Sequence, residues 1–291
     1  DYGRKGSVMA GISAIDMALW DIAGKAHGLP VWKLLGGRFR ERVQPYATGF
    51  YRISGKGEAA RLAEEAVRHY ESGFVMMKVK LGFGVDDDIA CMTAIGKALQ
   101  GKPVRLMIDT NHAYGRAEAL RLGRALAEFD LLWYEEPVVP EDIAGYAEMR
   151  QKLTMPIAGG ENEHSLYGFQ QLLSAGAVDI AQPDIGSCGG ISAARHITAI
   201  AQSLGVRVNP HVWGSAVAQA ASLQVIAALP VAHHSLYASE PVLEYDRSSH
   251  PFRQELVDEP MTLADGWVKI PERPGLGITI NRKVIDRYNV L

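Results

Sequence analysis

Cysteine is nearly absent: Cys91 and Cys188 are the only two in 291 residues. Two isolated thiols cannot staple a fold, and no Cys-x-x-Cys pair offers a zinc site. A reducing, cytoplasmic setting is therefore expected. An excess of charge of one sign is missing as well. Thirty Lys and Arg stand against 33 Asp and Glu, a formal net charge of −3, so no basic field advertises nucleic acid or an anionic membrane surface. Unbroken apolar runs are also lacking. The most apolar long stretch, 217–232, is interrupted by Gln219, Ser222, Gln224 and Pro230, so no segment is expected to span a bilayer. No signal peptide is recognisable, and no Gly-x-Gly-x-x-Gly turn follows the first strand candidate, which weighs against a dinucleotide-binding open sheet. What remains as a partner is a small molecule.

Apolar residues make up 47% of the chain and charged residues 22%, an ordinary globular balance with enough material for a large core. Short β-branched runs near 43–48, 75–80, 104–109, 131–135, 156–160, 179–182, 207–210 and 242–245 read as strands. Each is followed by a stretch of Ala, Leu and charged residues with helical period. Eight strand–helix units predict parallel strands joined by right-handed crossovers, and a closed (β/α) barrel over an open doubly wound sheet, the second choice. The expected organisation is a helical segment over 1–40, a TIM-like barrel carrying the site over 41–250, and an irregular carboxyl-terminal segment over 251–291, rich in Pro and Gly, that packs on both. In the first segment Ile12, Ile15, Leu19 and Ile22 predict a helix with one buried stripe.

Three carboxylates stand at three successive strand ends, each 26 residues from the next: Asp109, Glu135 and Glu161. Adjacent parallel strands lie about 4.8 Å apart, so acids at equivalent positions converge above the barrel. A lone acid would read as a helix cap, but three in register repel unless a cation sits among them. Oxygen ligands without His or Cys suit Mg²⁺, or Mn²⁺. The second strand ends in Lys78-Val79-Lys80, with both lysines on one face; if that face is the interior, each ammonium depresses the pKa of the other and creates a usable base. His211 follows the seventh strand, and Asp184, after the sixth, is placed to accept a ring N–H and fix the tautomer. At the eighth strand either Glu240 or Glu244 could donate a hydrogen bond or proton to a bound oxygen, and Glu244 fits the strand position better. Glu136 is expected to face away and serve structure. Glu163 and His164 lie on the rim, where they read equally as substrate contacts and as the lead-in to a helix.

The order Lys78-x-Lys80, Asp109-x-Asn111, Glu135-Glu136-Pro137, Gly160-Glu161-Asn162, Gln182-Pro183-Asp184 with Gly189-Gly190-Ile191, and Asn209-Pro210-His211 resembles the enolase superfamily, in its mandelate racemase branch. The resemblance runs from about Gly11 to the carboxyl terminus. It implies a modified (β/α) barrel with an α+β capping domain, here reduced to remnants because the β-meander that opens that domain has no counterpart in the sequence. It implies Mg²⁺ on Asp109, Glu135 and Glu161, Lys80 as one acid/base, the His211–Asp184 dyad as the other, and an acid near Glu244; apart from the resemblance, Asn111, Glu163 and His164 read as substrate contacts by their place on the rim. The resemblance also implies removal of a proton α to a carboxylate through an enediolate. The tail is similar to members that act on sugar acids and their lactones.

Lys80 and His211 on two sides of such a substrate allow racemisation or epimerisation, β-elimination of a hydroxyl, or opening of a ring ester. Polar substrates favour the last two, and β-elimination from a sugar acid leads, with cycloisomerisation next. Metal-dependent hydrolysis usually calls for His ligands. A sugar-acid binding protein without turnover is the non-enzymatic alternative. The partner is then a small carboxylate, and the protein is expected to be a homo-oligomer.

Overall fold

Strands form where short apolar runs meet turn residues, and helices where Ala, Leu and charged residues run longer. The computed structural model describes residues 3–231, 236 and 239–289. In chain order these are α1 (Ser7–His27), α2 (Val31–Leu34), β1 (Arg42–Val43), β2 (Pro45–Gly49), α3 (Ala59–Glu71), β3 (Met76–Lys80), α4 (Val85–Ala98), β4 (Arg105–Asp109), α5 (Arg116–Ala125), β5 (Tyr134–Glu135) and α6 (Ile143–Lys152). There follow β6 (Ile157–Gly159), α7 (Ser165–Ser174), β7 (Ile180–Ala181), α8 (Gly190–Ser203), β8 (Arg207–Val208), α9 (Ala216–Ala228), β9 (Leu243–Asp246), α10 (Pro251–Gln254), β10 (Val268–Lys269) and α11 (Arg282–Tyr288). Eight parallel strands share one sheet in the order β8-β7-β6-β5-β4-β3-β2-β9, the expected barrel. The expected first strand is split: Val43 leaves it and, together with Arg42, pairs antiparallel with Val268 and Lys269 of β10.

Strand alternation sorts the side chains into two cores. Met77, Val79, Ile108 and Tyr134 point outward into the layer between sheet and helices. Tyr46, Met76, Met107, Trp133, Ala158 and Ile180 close the barrel axis at its amino-terminal end. The next inward positions are Lys78, Lys80, Asp109 and Glu135, so the axis changes from apolar to ionic within one strand length. Between β8 and β9 no ladder forms among the described residues. Asn209 Oδ1 accepts from the backbone N–H of Val242 (2.8 Å) and Glu244 from that of Val212 (3.0 Å).

The α1 stripe is opposite to expectation. Ile12, Ile15, Leu19 and Ile22 are exposed, Ile15 at 65%, while Met9, Ser13, Met17 and Gly24 are buried. The buried face is the small one. Ser13 Oγ accepts from Gly189 N (2.9 Å), Asp16 accepts from Ser192 N (3.1 Å), and a Cβ on Gly24 would stand 2.6 Å from the backbone of Gly275. Close approach to α8 and to the tail thus outweighs apolarity in choosing the face. By length and composition alone α1 is long and apolar enough to cross a membrane, a test that a helix packed within a soluble protein also passes, and α1 is bonded to α8 through Ser13 and Asp16. The tail is more regular than expected, with α10 and α11 in it, and Leu276 N donates to Asp21 of α1 (2.8 Å).

Candidate active site

The ionic layer sits at the carboxyl-terminal mouth. Lys80 and Asp109 are paired in register, as are Asp109 and Glu135, so neighbouring inward positions bring these three together. Glu161 arrives differently. Glu135 is in register with Ala158, and Glu161 lies beyond the end of β6. The equal spacing in sequence is therefore not equal register. Gly160, at φ +127°, turns the chain so that Glu161 comes back over the axis, and a Cβ there would meet the Phe169 ring at 2.8 Å. Each of Asp109, Glu135 and Glu161 then offers an oxygen within 4.8 Å of the others'.

Lys78 is fully buried and bridges this cluster from below. It bonds Glu135 and lies 2.9 Å from Glu244 and 3.6 Å from Asp109. Trp133 Nε1 (2.8 Å) and Gln182 Nε2 (2.7 Å) donate to the other Glu135 oxygen. Lys80 bonds Asp109 and reaches Asn111 Oδ1 at 3.1 Å. His211 donates through Nδ1–H to Asp184 (2.6 Å), and its Nε2 faces Glu161 at 3.3 Å and Glu244 at 3.7 Å. The sequence thus named a set that the fold does gather. Glu163 and His164 stand apart on the rim: Lys5 pairs with Glu163 (3.2 Å), and the N–H of Gly6 donates to His164 (3.2 Å).

Burial, reinforced by Asp109, Glu244 and Glu161, pushes Glu135 up to about 8 against the opposing pull of Lys78. Burial disfavours a charged His211, yet Glu161, Glu244 and Asp184 outweigh it and raise the imidazole to about 10. Burial likewise opposes the ammonium of Lys80, and Asp109 overrides both this and the repulsion from Lys78, so its pKa rises. The expectation of a base depressed by its like-charged neighbour is corrected accordingly: Asp109 lies closer. Glu244 is held well below the usual carboxylate range, against burial, by Lys78 and His211. It accepts from Thr48 (2.7 Å) and Val212 N, so it is an acceptor here and has no proton to donate. Glu240 is elsewhere, bonded to Arg40 (2.7 Å) beside a cavity of about 1270 Å³ at the amino-terminal mouth, away from this chemistry. Glu136 is buried, and accepts from Asn162 (2.7 Å) while facing His112 (3.1 Å).

Do these residues fit a cation? Glu161 Oε2 is buried without a hydrogen bond, its charge facing the His211 Nε2 at 3.3 Å. Five carboxylates (Asp109, Glu135, Glu161, Asp184, Glu244) meet three cationic groups (Lys78, Lys80, His211), a formal deficit that one divalent ion would make up. The donor set is all oxygen. It fits a hard divalent cation.

A cavity of about 450 Å³ opens above the cluster, with Lys80, Asn111, Glu161 and His211 in its walls. Tyr51, Phe83 and Trp213 line it too. Sequence reading missed these three. Their only signal was that aromatic residues follow strand ends, Trp213 two residues after His211.

An inward ionic layer at the carboxyl-terminal mouth of an eight-stranded parallel barrel defines an enzyme of the enolase superfamily. The sequence profile described as enolase C-terminal domain-like matches residues 61–284, and that of the mandelate racemase/muconate lactonizing enzyme N-terminal domain matches residues 3–36. The chain belongs to the mandelate racemase/muconate lactonizing enzyme family. It is 44% identical to D-galactarolactone cycloisomerase of Agrobacterium fabrum over 290 residues, covering 100% of this chain and 76% of the relative. To arabinonate dehydratase of Saccharolobus solfataricus it is 34% identical, covering 99% and 74%. The crystal structure of the 3,6-anhydro-D-galactonate cycloisomerase from Zobellia galactanivorans superposes with a TM-score of 0.90 at 42% identity, covering 99% of this chain and 78% of that one.

Proposed function

We propose that the protein removes the proton α to the carboxylate of a sugar acid or its lactone, with Mg²⁺ held by Asp109, Glu135 and Glu161, and that β-elimination of a hydroxyl follows. The observation that carries this reading is the placing of Lys80 and His211 in one cavity, with the carboxylate-bearing elements between them in the sheet order. Bound there, a divalent ion supplies Lewis-acid stabilisation of the charge that develops on the substrate carboxylate. The chain's own groups do the rest. Asp184 fixes the imidazole by its hydrogen bond to Nδ1 and leaves Nε2 to face the cavity. One of Lys80 and His211 takes the α-proton, and the other returns a proton to the departing β-oxygen, which leaves as water. While Asp109 and Glu161 bear unbalanced charge they hold both groups protonated, so neither is then a base. Asn111 orients Lys80, and Tyr51 and Trp213 shield the site from water.

Cycloisomerisation is the second reading, in which the returned proton goes to a ring oxygen. It is favoured by the 44% identity to a cycloisomerase and by the structural likeness to another. The test is incubation with D-galactarate and D-galactarolactone in D₂O with Mg²⁺, followed by NMR. Exchange at the α-carbon with loss of water marks the first reading, and exchange with ring opening and no loss marks the second. Neither exchange nor product across a panel of acid sugars would sink both.

A further inference from the structure

The barrel sheet ends at β8 and β9, and among the described residues side chains alone stitch those two edges together. A ladder spreads the load of one lost bond over its neighbours; a side-chain stitch has none. Above a bond from Arg207 to Ser239 (3.4 Å) at the amino-terminal end of the seam, the first two stitches toward the mouth are Asn209 to Val242 and Glu244 to Val212. The third, at the rim, comes from outside the barrel. Arg253, in α10 and only 8% exposed, donates through Nη1 to Asp246 at the end of β9. Its Nη2 donates to the carbonyl of Trp213 (2.8 Å) and its Nε to that of Gly214 (3.3 Å). Asp246 also accepts from the Tyr51 hydroxyl (3.2 Å). That hydroxyl in turn accepts from the Trp213 indole N–H (3.0 Å). The four residues close a ring that joins the segment after β2, the end of β9, the loop after β8 and α10.

We propose that Arg253 is a positioning residue: it holds the loop His211–Gly214 against β9, and so sets where the imidazole and the Trp213 wall stand relative to the carboxylate cluster. The proposal rests on the reading of His211 given above. His211 lies between the first and second stitches and the third follows it at Trp213 and Gly214, so loosening the third leaves the loop on the carboxyl-terminal side of the imidazole held by the Val212 bond alone. The requirement is for a guanidinium. Three acceptors in three directions match its rigid fork, whereas an ammonium on a flexible stem can serve them only in part. A displacement of about 1 Å in a reacting group can cost on the order of 10²-fold in rate.

The test compares Arg253→Met and Arg253→Lys with the parent, with Mg²⁺ and D-galactarolactone or D-galactarate, at a temperature where each is fully folded. Arg253→Met is expected to lower kcat by about 10- to 100-fold with KM little changed, and Arg253→Lys to recover thermal stability but only part of kcat. Wild-type kcat in folded Arg253→Met, or full recovery of kcat in Arg253→Lys, overturns the proposal. A second reading needs no substrate. The emission of Trp213, isolated by subtracting Trp213→Phe in each background, should move to the red and become more accessible to acrylamide in Arg253→Met. An unchanged Trp213 spectrum refutes the proposal even if the parent turns over no sugar acid, an outcome that would instead count against the reading of the site. Should Arg253→Met fail to fold, Arg253→Lys carries the same measurements.

Discussion

A carboxylate whose buried oxygen makes no hydrogen bond and faces the His211 imidazole at 3.3 Å is the sharpest residue-scale feature of this protein. Glu161→Gln removes one charge from a crowded cluster, so divalent-metal binding by calorimetry should fall at least about tenfold, while thermal stability without metal stays level or rises because like-charge repulsion is relieved. A loss of stability with metal affinity intact would contradict that role. Asp184→Asn should mimic damage to His211, leave Lys80 competent and lower turnover by roughly 10²- to 10⁴-fold, the range seen when the partner of a catalytic imidazole is lost. Comparing its α-proton exchange in D₂O with that of Lys80→Ala separates the two faces. Without metal, pH acts in one direction. Burial and like charge raise Glu135 from 4.5 to about 8, and the acids around His211 raise it from 6.5 to about 10 against burial. A raised folded pKa stabilises fully below the unfolded value and is lost as pH climbs through the folded one. Denaturant titration in EDTA should therefore show stability falling from about pH 4.5, through Glu135, to about pH 10, through His211, more shallowly above pH 6.5 in His211→Asn; a flat or rising profile would refute these shifts.

At the scale of elements, one glycine decides whether β6 delivers its acid. Gly160 sits at φ +127° against Phe169, a conformation that costs an L-residue about 1–3 kcal/mol. Gly160→Ala should lower Tm by about 2–4 °C for each kcal/mol lost and weaken metal binding in step, since Glu161 is the next residue. If Tm falls and metal affinity does not, the turn and the ligand are independent. The helix α1 gives the opposite lesson. Its isoleucines and Leu19 are exposed, so Ile15→Ser with Leu19→Ser should cost under about 1 kcal/mol and reduce binding of an apolar dye. A large loss of stability would show that this face is covered.

For the whole molecule, folding and the ionic layer are coupled through charge. The barrel buries Lys78, Asp109, Glu135 and Glu244 almost completely, which is tolerable only because each opposes another. A divalent ion that binds the folded state alone should raise Tm with concentration, by about 2.7 kcal/mol at a hundredfold excess over Kd. Scanning calorimetry across a Mg²⁺ series checks this, and a Tm independent of Mg²⁺ would remove the metal from the account.

Period and spacing by themselves determined the eight parallel strands, the placing of Lys78 and Lys80 on one face, and the gathering of Asp109, Glu135, His211 and Asp184. These follow from alternation and from strand adjacency, which are local or nearly so. Four matters were settled only by tertiary structure. Glu161 needs the turn at Gly160, which 26-residue spacing imitates without register. Glu240 and Glu244 lie four residues apart yet at different levels of the barrel, because Glu240 precedes β9 and bonds Arg40 whereas Glu244 lies within β9 in the ionic layer. Lys80 is governed by Asp109 rather than by Lys78, a matter of distance and burial. The buried face of α1 is its small-residue face, because a helix period marks a stripe and says nothing of what lies beside it. The same holds for Arg253: 42 residues separate it from His211, and only the unpaired seam between β8 and β9 brings its guanidinium to that loop.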